Sequence, residues 1–475
     1  MSEHKEQHSL HGPRRWALSA LAGAIIGGIC SFAFAPVAGT GVPLWLVTPF
    51  VILLLSIALT PLIKPHFWHT YYPDIALFLG LLVAAFYLGV YKTDGRTAVV
   101  HAVTEYYSFI ALVGGLFVVS GNILIRIRGT PSPLMNTAIL AVGAVLANFV
   151  GTTGASMLLI RPFMRLNHGR LKPVHIIFFI FIVSNCGGSL TPIGDPPLYL
   201  GFLKGVPFIW TLTNLWKDWL LVCGILLAVF YVVDRRIGPS VVAINSGHEH
   251  TSPLSISGTT GLVSLGLMLV GVFLDPMLSK FIDLHHIPVG ATFQIIVAIS
   301  CYFLSKAEIR DTNRFNFEPV KEVGLLFAGI FLTLIPALQY LASNGSNLGL
   351  TGATTFATAS RFYLATGGLS AVLDNAPTYL NFLQIAMSIE GHADMSKAAV
   401  LAFSSTPASI HLLHAISSSA VFFGAMTYIG NGPNFMVKAI AEGESVKMPS
   451  FFAYLGYACI FLLPILIMNW FLFAH

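Results

Sequence analysis

The feature that most constrains this chain is a succession of apolar runs, each long enough to cross a lipid bilayer. A helix needs about 20 residues to span a hydrocarbon core of about 30 Å. Here 11 such runs can be placed, starting near Trp16, Leu44, Asp74, Val103, Pro173, Thr213, Gly258, Ile287, Glu322, Ser409 and Pro449. Of the 475 residues, 55% are hydrophobic and 9% charged, where a soluble domain carries roughly a quarter charged residues. The expected fold class is therefore an all-α polytopic membrane protein, with membrane lipid around it. The net charge of +5 is scattered over short polar intervals and gathers on no single face, which argues against a nucleic-acid partner. All five cysteines sit in apolar runs and form no CxxC pair, so neither a disulfide framework nor a zinc site is indicated. The opening segment MSEHKEQHSLHGPRRW is polar and basic, and the apolar run after it lacks a convincing small-residue cleavage site. It reads as a retained first span.

Two further apolar segments, 133–165 and 354–388, are interrupted halfway by polar residues, at ANFVGTT and LDNAPT. Each reads as a re-entrant hairpin that enters and leaves on one side. With the N-terminus in the cytoplasm, 11 spans and two hairpins, 18 Lys and Arg fall inside and 7 outside, the bias that orients multi-pass proteins in an inner membrane. The segments are then a cytoplasmic tail (1–15), scaffold helices (16–100), a first repeat with hairpin and broken helix (101–233), and a cytoplasmic linker with GHEHTSP (234–257). More scaffold (258–320), a second repeat (321–448) and a C-terminal helix (449–475) follow.

The repeat rests on one motif: TPIGDPP at 191–197 recurs as TYIGNGP at 427–433, an offset of 236 residues, about half the chain. Upstream of each copy lies a hairpin tip with an Asn, Asn148 or Asn375, followed within a few residues by Thr. The charge-derived topology opens the first hairpin from the cytoplasm and the second from outside, so the repeats are inverted. Unwound backbone in hydrocarbon leaves N–H and C=O groups unpaired unless it lines a cavity or holds a ligand. Inverted repeats with broken helices meeting near the midplane are the architecture of alternating-access transporters. Gly and Pro also produce simple kinks in membrane helices, but two copies in matched order argue for more than kinks.

At SNCGGSLTPIGDPPLYLGFLKGVPF (184–208) and AVLDNAPTYLNF (371–382) the chain resembles the ion transporter superfamily of sodium/proton antiporters, arsenite permeases and citrate or dicarboxylate carriers. Within it, the resemblance is to the branch described both as citrate transport and as sodium:proton antiporter, and it covers nearly the whole chain. The resemblance implies a transport domain of two hairpins and two broken helices, with scaffold spans that often form a homodimer. Dicarboxylate carriers of the superfamily have Ser-Asn-Thr at both tips, whereas this chain has NFVGTT from Asn148 and DNAPT from Asp374, a departure that weighs against a dicarboxylate substrate.

Alkali cations take hard oxygen ligands, and both repeats offer them. The first offers Asn148, Thr152 and Thr153 at the tip, facing Ser184, Asn185, Gly188, Thr191, Gly194 and Asp195; the second offers Asp374, Asn375 and Thr378, facing Thr427, Gly430 and Asn431. Asn148, Asn185, Asp195, Asp374 and Asn375 are the expected sodium ligands. A carboxylate at membrane depth is costly unless protonated or paired with a cation, which is what exchanging a proton for an ion requires. Asp195, before Pro-Pro, also has the position of a helix cap, and Asp374 could cap the second hairpin arm. His411 and His414 could relay protons, although an i, i+3 pair without a third ligand suits a structural role. Glu105 reads as interfacial, Asp275 and Asp283 as solvated, and Arg361, the one cation near the mouth of the second hairpin that could meet an anionic substrate, as a snorkelling side chain.

The expected function is secondary ion transport by alternating access, as sodium/proton antiport or as cation-coupled transport of citrate or a dicarboxylate. The partner is then a small inorganic cation or a small carboxylate, with sodium and/or protons as the moving or coupling ions and no cofactor. An intramembrane enzyme would need a nucleophile and base or a metal set, and the sequence has no HExxH and no paired catalytic carboxylate motif.

Overall fold

A computed structural model describes residues 3–33, 42–127, 129, 131–238, 254–278, 288–392 and 394–473. The helices run, in chain order, α1 (Glu3–Ala33), α2 (Thr48–Ile63), α3 (Pro65–Val90), α4 (Lys92–Gly121), α5 (Pro133–Leu166), α6 (Pro173–Ile182) and α7 (Pro196–Lys204). Then come α8 (Phe208–Ile237), α9 (Thr259–Leu278), α10 (Val289–Leu304), α11 (Ala307–Thr312), α12 (Glu318–Asn344), α13 (Thr355–Ser370) and α14 (Asn375–Ile389). The last are α15 (Lys397–Phe403), α16 (Pro407–Phe423), α17 (Gly432–Gly443), α18 (Phe451–Phe461) and α19 (Leu463–Phe473).

Eight of the described helical segments are long and apolar enough to cross a membrane, or nine if the bent pair α18–α19 is one span. The chain is therefore a multi-pass membrane protein. α9 and α10 are apolar but shorter, and the Ile287 start of the expected eighth span lies outside the described residues. The all-helical expectation meets one exception: Leu124–Ile127 (β1) pairs antiparallel with Leu254–Ser257 (β2), with Leu124 opposite Ser257. Short strands satisfy backbone groups that the neighbouring helices leave free. Of the expected linker, Asp234 to Ile237 close α8 and β2 supplies the end, while 239–253, with GHEHTSP, lie outside the described residues, as does Asp283.

The chain divides into two compact units. Unit 1 comprises Met1–Ile110, Phe317–Gly349 and Leu383–Met395. Its core gathers Leu46, Val83, Phe86, Tyr87, Ala102 and Ile335, and polar groups tie helices across it. Arg15 pairs with Asp74 at 2.9 Å, and the Tyr87 hydroxyl donates to Gln339 Oε1 at 2.8 Å.

Unit 2 comprises Ala111–Asn316, Leu350–Phe382 and Ser396–His475. Ser132 caps α5 by accepting from Met135 N at 3.2 Å, with Pro133 at the first helical position. As a straight rod of 34 residues α5 would run about 50 Å, yet Asn136 near its start and Asn167 just past its end exchange side-chain bonds of 2.8 Å. The segment doubles back at Gly151, whose φ of 74° and ψ of 158° break the helix and suit only glycine. A second doubling joins α13 to α14, where Phe362 and Phe382 meet edge to face at 6.1 Å.

The base of the first hairpin is locked by a buried polar cluster. Asp234 on α8 accepts from Asn136 Nδ2 at 2.7 Å, pairs with His175 Nε2 at 2.9 Å and forms a salt bridge with Arg170.

Candidate functional site

Two interrupted helices build the site, and they follow one plan. In the first, α6 runs into Asn185, which leaves helical geometry at φ −142° and ψ −83°, and a 3-10 turn covers Cys186–Leu190. Thr191 is extended, as is Asp195, which stands as the N-cap of α7 with Pro196 at the first helical position, where the missing N–H leaves no bond unmade. In the second, α16 passes into a 3-10 turn at Gly424–Met426, Thr427 is extended, and Asn431 caps α17.

The hairpin tips bond these breaks in the same way twice. Thr152 N donates to Gly194 O at 2.8 Å, and Asn375 N to Gly430 O at 3.2 Å. Thr191 Oγ1 donates to Asn148 O at 2.6 Å, and Thr427 Oγ1 to Ala371 O at 2.5 Å. Both pairs on the broken helices are offset by 236 residues, and both pairs on the tips by 223 (148 to 371, 152 to 375). The structural counterpart of Asn375 is therefore Thr152, and that of Asn148 is Ala371. The sequence pairing of Asn148 with Asn375 is out of register because it matched side-chain type, whereas the backbone bonds at the tip set the equivalence. A Cβ on Gly194 would stand 2.0 Å from Gly188 O, so this crossing of backbone on backbone requires glycine.

Asp195 is the centre of the site and is 1% exposed. Its Oδ1 accepts from Thr152 Oγ1 at 2.8 Å and from Asn431 Nδ2 at 2.9 Å, and its Oδ2 accepts from Asn375 Nδ2 at 2.8 Å. The donors come from the first tip, the second broken helix and the second tip. All three are neutral, and among the described residues no Lys or Arg forms a salt bridge with Asp195. Asn375 Oδ1, buried beside it, has no hydrogen-bond partner. A cavity of about 20 Å³ adjoins the carboxylate, lined by Gly151, Thr152, Thr153, Gly194 and Tyr199 among others. It has room for about one water-sized guest.

A shell of amides holds this centre. Asn431 Nδ2 also reaches Asn185 Oδ1 at 3.2 Å and Ser184 O at 3.4 Å. Asn185 Nδ2 donates to Ile180 O at 2.8 Å and to Asn434 Oδ1 at 2.6 Å. Asn434 donates on to Gly424 O at 2.8 Å and Thr427 O at 2.9 Å. Asn434 escaped the sequence reading because the repeat puts Leu198 at the matching place; its one signal was an amide inside an apolar helix start. The expected Ser184 shares a bond of 2.8 Å with Ser156, which the sequence did not single out.

The remaining expected residues lie around the centre. Asn148 spends its amide on backbone, donating to Ala144 O at 3.0 Å and Gly187 O at 2.7 Å and accepting from Leu190 N at 2.9 Å. Gly188 N bonds Asn185 O within the turn. Asp374 is half-buried and accepts from Ala376 N at 3.0 Å, capping α14, and its carbonyl accepts from Thr378 Oγ1 at 2.9 Å. His414 joins Asp218 at 2.9 Å, away from Asp195, while His411 is half-buried. Glu105 pairs with His101 at 3.5 Å, Asp275 accepts from Gly290 N at 2.9 Å, and exposed Arg361 donates to Thr351 O at 2.6 Å. Among the described residues no three His, Cys, Asp or Glu side chains converge as a metal-holding group.

A family model described as "Putative citrate transport" matches residues 39–474. No curated protein matches the chain.

Proposed function

We propose that this chain, which belongs to the putative citrate transport family and is a multi-pass membrane transporter, exchanges sodium for protons by alternating access, with Asp195 as the group at which the two ions compete. One observation carries the reading: Asp195 is buried among three neutral donors with no basic partner among the described residues. Taking a carboxylate out of water costs several kcal/mol, and neutral hydrogen bonds offset only part of that. A proton or a small cation supplies the rest, and only one of them at a time. The oxygens within reach suit sodium: both Asp195 oxygens, the free Asn375 Oδ1 and Thr152 Oγ1. The size of the adjoining cavity also favours a bare cation over a tricarboxylate.

The hairpins are re-entrant in this reading, and the two repeats are inverted about the midplane of an inner membrane, with the N-terminus in the cytoplasm. The identical bonding of tips to breaks supports the repeat, and the excess of Lys and Arg on the cytoplasmic side supports the orientation. Movement of the hairpins and broken helices would expose Asp195 first to one side and then to the other.

The family description favours a second reading, symport of citrate or a dicarboxylate. The starts of α7, α14 and α17 and of the second arm of α5 gather at Asp195, and helix starts favour anions. A bound cation would then bridge Asp195 to the substrate. Purified protein in proteoliposomes under an imposed pH gradient separates the readings. Sodium or lithium should collapse the gradient, and Asp195→Asn should abolish the effect. Citrate uptake without sodium/proton exchange would instead establish the second reading, and normal exchange by Asp195→Asn would refute the mechanism.

A further inference from the structure

Asp218 sits within WKDW on α8, a run that reads as interfacial, yet it is 1% exposed. Three helices meet at it. Its Oδ2 faces His414 Nε2 of α16 at 2.9 Å, and its Oδ1 accepts from Asn469 Nδ2 of α19 at 2.7 Å. Asn469 is fully buried and its Oδ1 has no hydrogen-bond partner. The ring of His414 lies 6.2 Å from Trp470, which stacks on buried Tyr363 of α13 at 4.4 Å. Tyr363 is the further titratable group facing the pair, and its hydroxyl is committed to Leu466 O at 3.0 Å. Lys217, next in the chain, lies over the Trp216 ring, and among the described residues no Lys or Arg forms a salt bridge with Asp218.

The buried Asp234 cluster gives the contrast. Its acid is matched by Arg170, and a guanidinium does not give up its proton in proteins, so that cluster holds a fixed charge and serves as a lock. Asp218 has only an imidazole, the side-chain type that gains and loses a proton in the physiological range. An ionisable pair buried inside a multi-pass membrane protein is a candidate functional site, and the antiport chemistry at Asp195 leaves this one unused.

We propose that Asp218 and His414 form a second proton-carrying site, separate from Asp195. With a proton bound, the imidazolium and the carboxylate are neutral together and suited to burial. On release the proton leaves from Nδ1, since Nε2 remains on the carboxylate, and the pair keeps one negative charge. Because His414 belongs to the first half of the second broken helix, this charge change acts on the element that also carries Asn431. The inference rests on the chain being a proton-coupled transporter and not on which substrate it moves.

The test is the pH profile of transport in proteoliposomes, between pH 6 and 9, for the wild type, Asp218→Asn and His414→Gln, read on whichever flux the wild type carries, sodium-driven or citrate-driven. Both variants should shift the profile by about one pH unit or flatten it, with the half-saturating sodium or citrate concentration changed less than about threefold. An unchanged profile with only a lower rate would reduce the cluster to a brace between helices and overturn the proposal. Should Asp218→Asn fail to fold, His414→Gln decides, because its amide can still donate to Asp218. A pH titration of nitrogen-labelled histidine in the detergent-solubilised protein gives an independent reading: His414 must change protonation across this range. Failure of the sodium reading would appear as sodium-insensitive flux, which leaves this test intact on citrate.

Discussion

Asp195 and Asn431 occupy the same place in the two broken helices. Each is an extended residue that follows a Thr-x-Ile-Gly run, each holds the N-cap position of a short helix that starts at a Gly or Pro, and the glycine before each is bonded to a hairpin tip in the same way. One is an acid and the other an amide, and the amide donates to the acid at 2.9 Å. The two tips differ in the same complementary sense: Thr152 and Asn375, matched in position, donate to opposite oxygens of one carboxylate. The matched positions of the shared backbone plan thus carry one charge between them, not two. A single carboxylate can be neutralised by a single cation or proton, whereas a pair would repel and need two.

Substitutions at the matched positions test the difference between the two breaks. The largest effect is expected from Asp195→Asn, which makes the two breaks alike: sodium-driven proton flux should fall about 100-fold or more, in line with losing one partner of a buried charge interaction, while the protein still inserts and purifies. Asn431→Asp puts two acids side by side and removes a donor, so flux should fall about tenfold and the thermal midpoint should drop. Combining the two changes moves the lone carboxylate to the other repeat and should recover flux above that of Asp195→Asn alone. Asn375→Ala removes a donor and the free Oδ1 and should raise the half-saturating sodium concentration about tenfold. Thr152→Val, the mildest, removes one hydroxyl and should raise it roughly fivefold, measurable in the same assay. For the wild type, sodium affinity should weaken as pH falls, because protons occupy the carboxylate that sodium needs.

What the sequence made legible follows from where side-chain identity and backbone geometry coincide. The broken helices announced themselves through glycine and proline, which the crossing of Gly188 with Gly194 and the start of α7 demand. The apolar runs announced the membrane. The tip register did not, since a one-letter match between two asparagines outweighed backbone bonds that leave no trace in residue type. Asn434, Ser156 and Asp218 were hidden for a related reason. Each is a polar residue whose partner lies far off in the chain: Asn185, Ser184 and His414 are 249, 28 and 196 residues away. Only the fold brings them together.

In this mechanism a proton and a cation compete for one carboxylate. Calorimetric titration of purified protein with sodium, repeated in two buffers of different protonation enthalpy, measures that competition directly. At a pH low enough for Asp195 to carry its proton, the wild type should release about one proton per sodium bound, and Asp195→Asn should bind no sodium. Sodium binding without proton release, or undiminished in Asp195→Asn, would contradict the account.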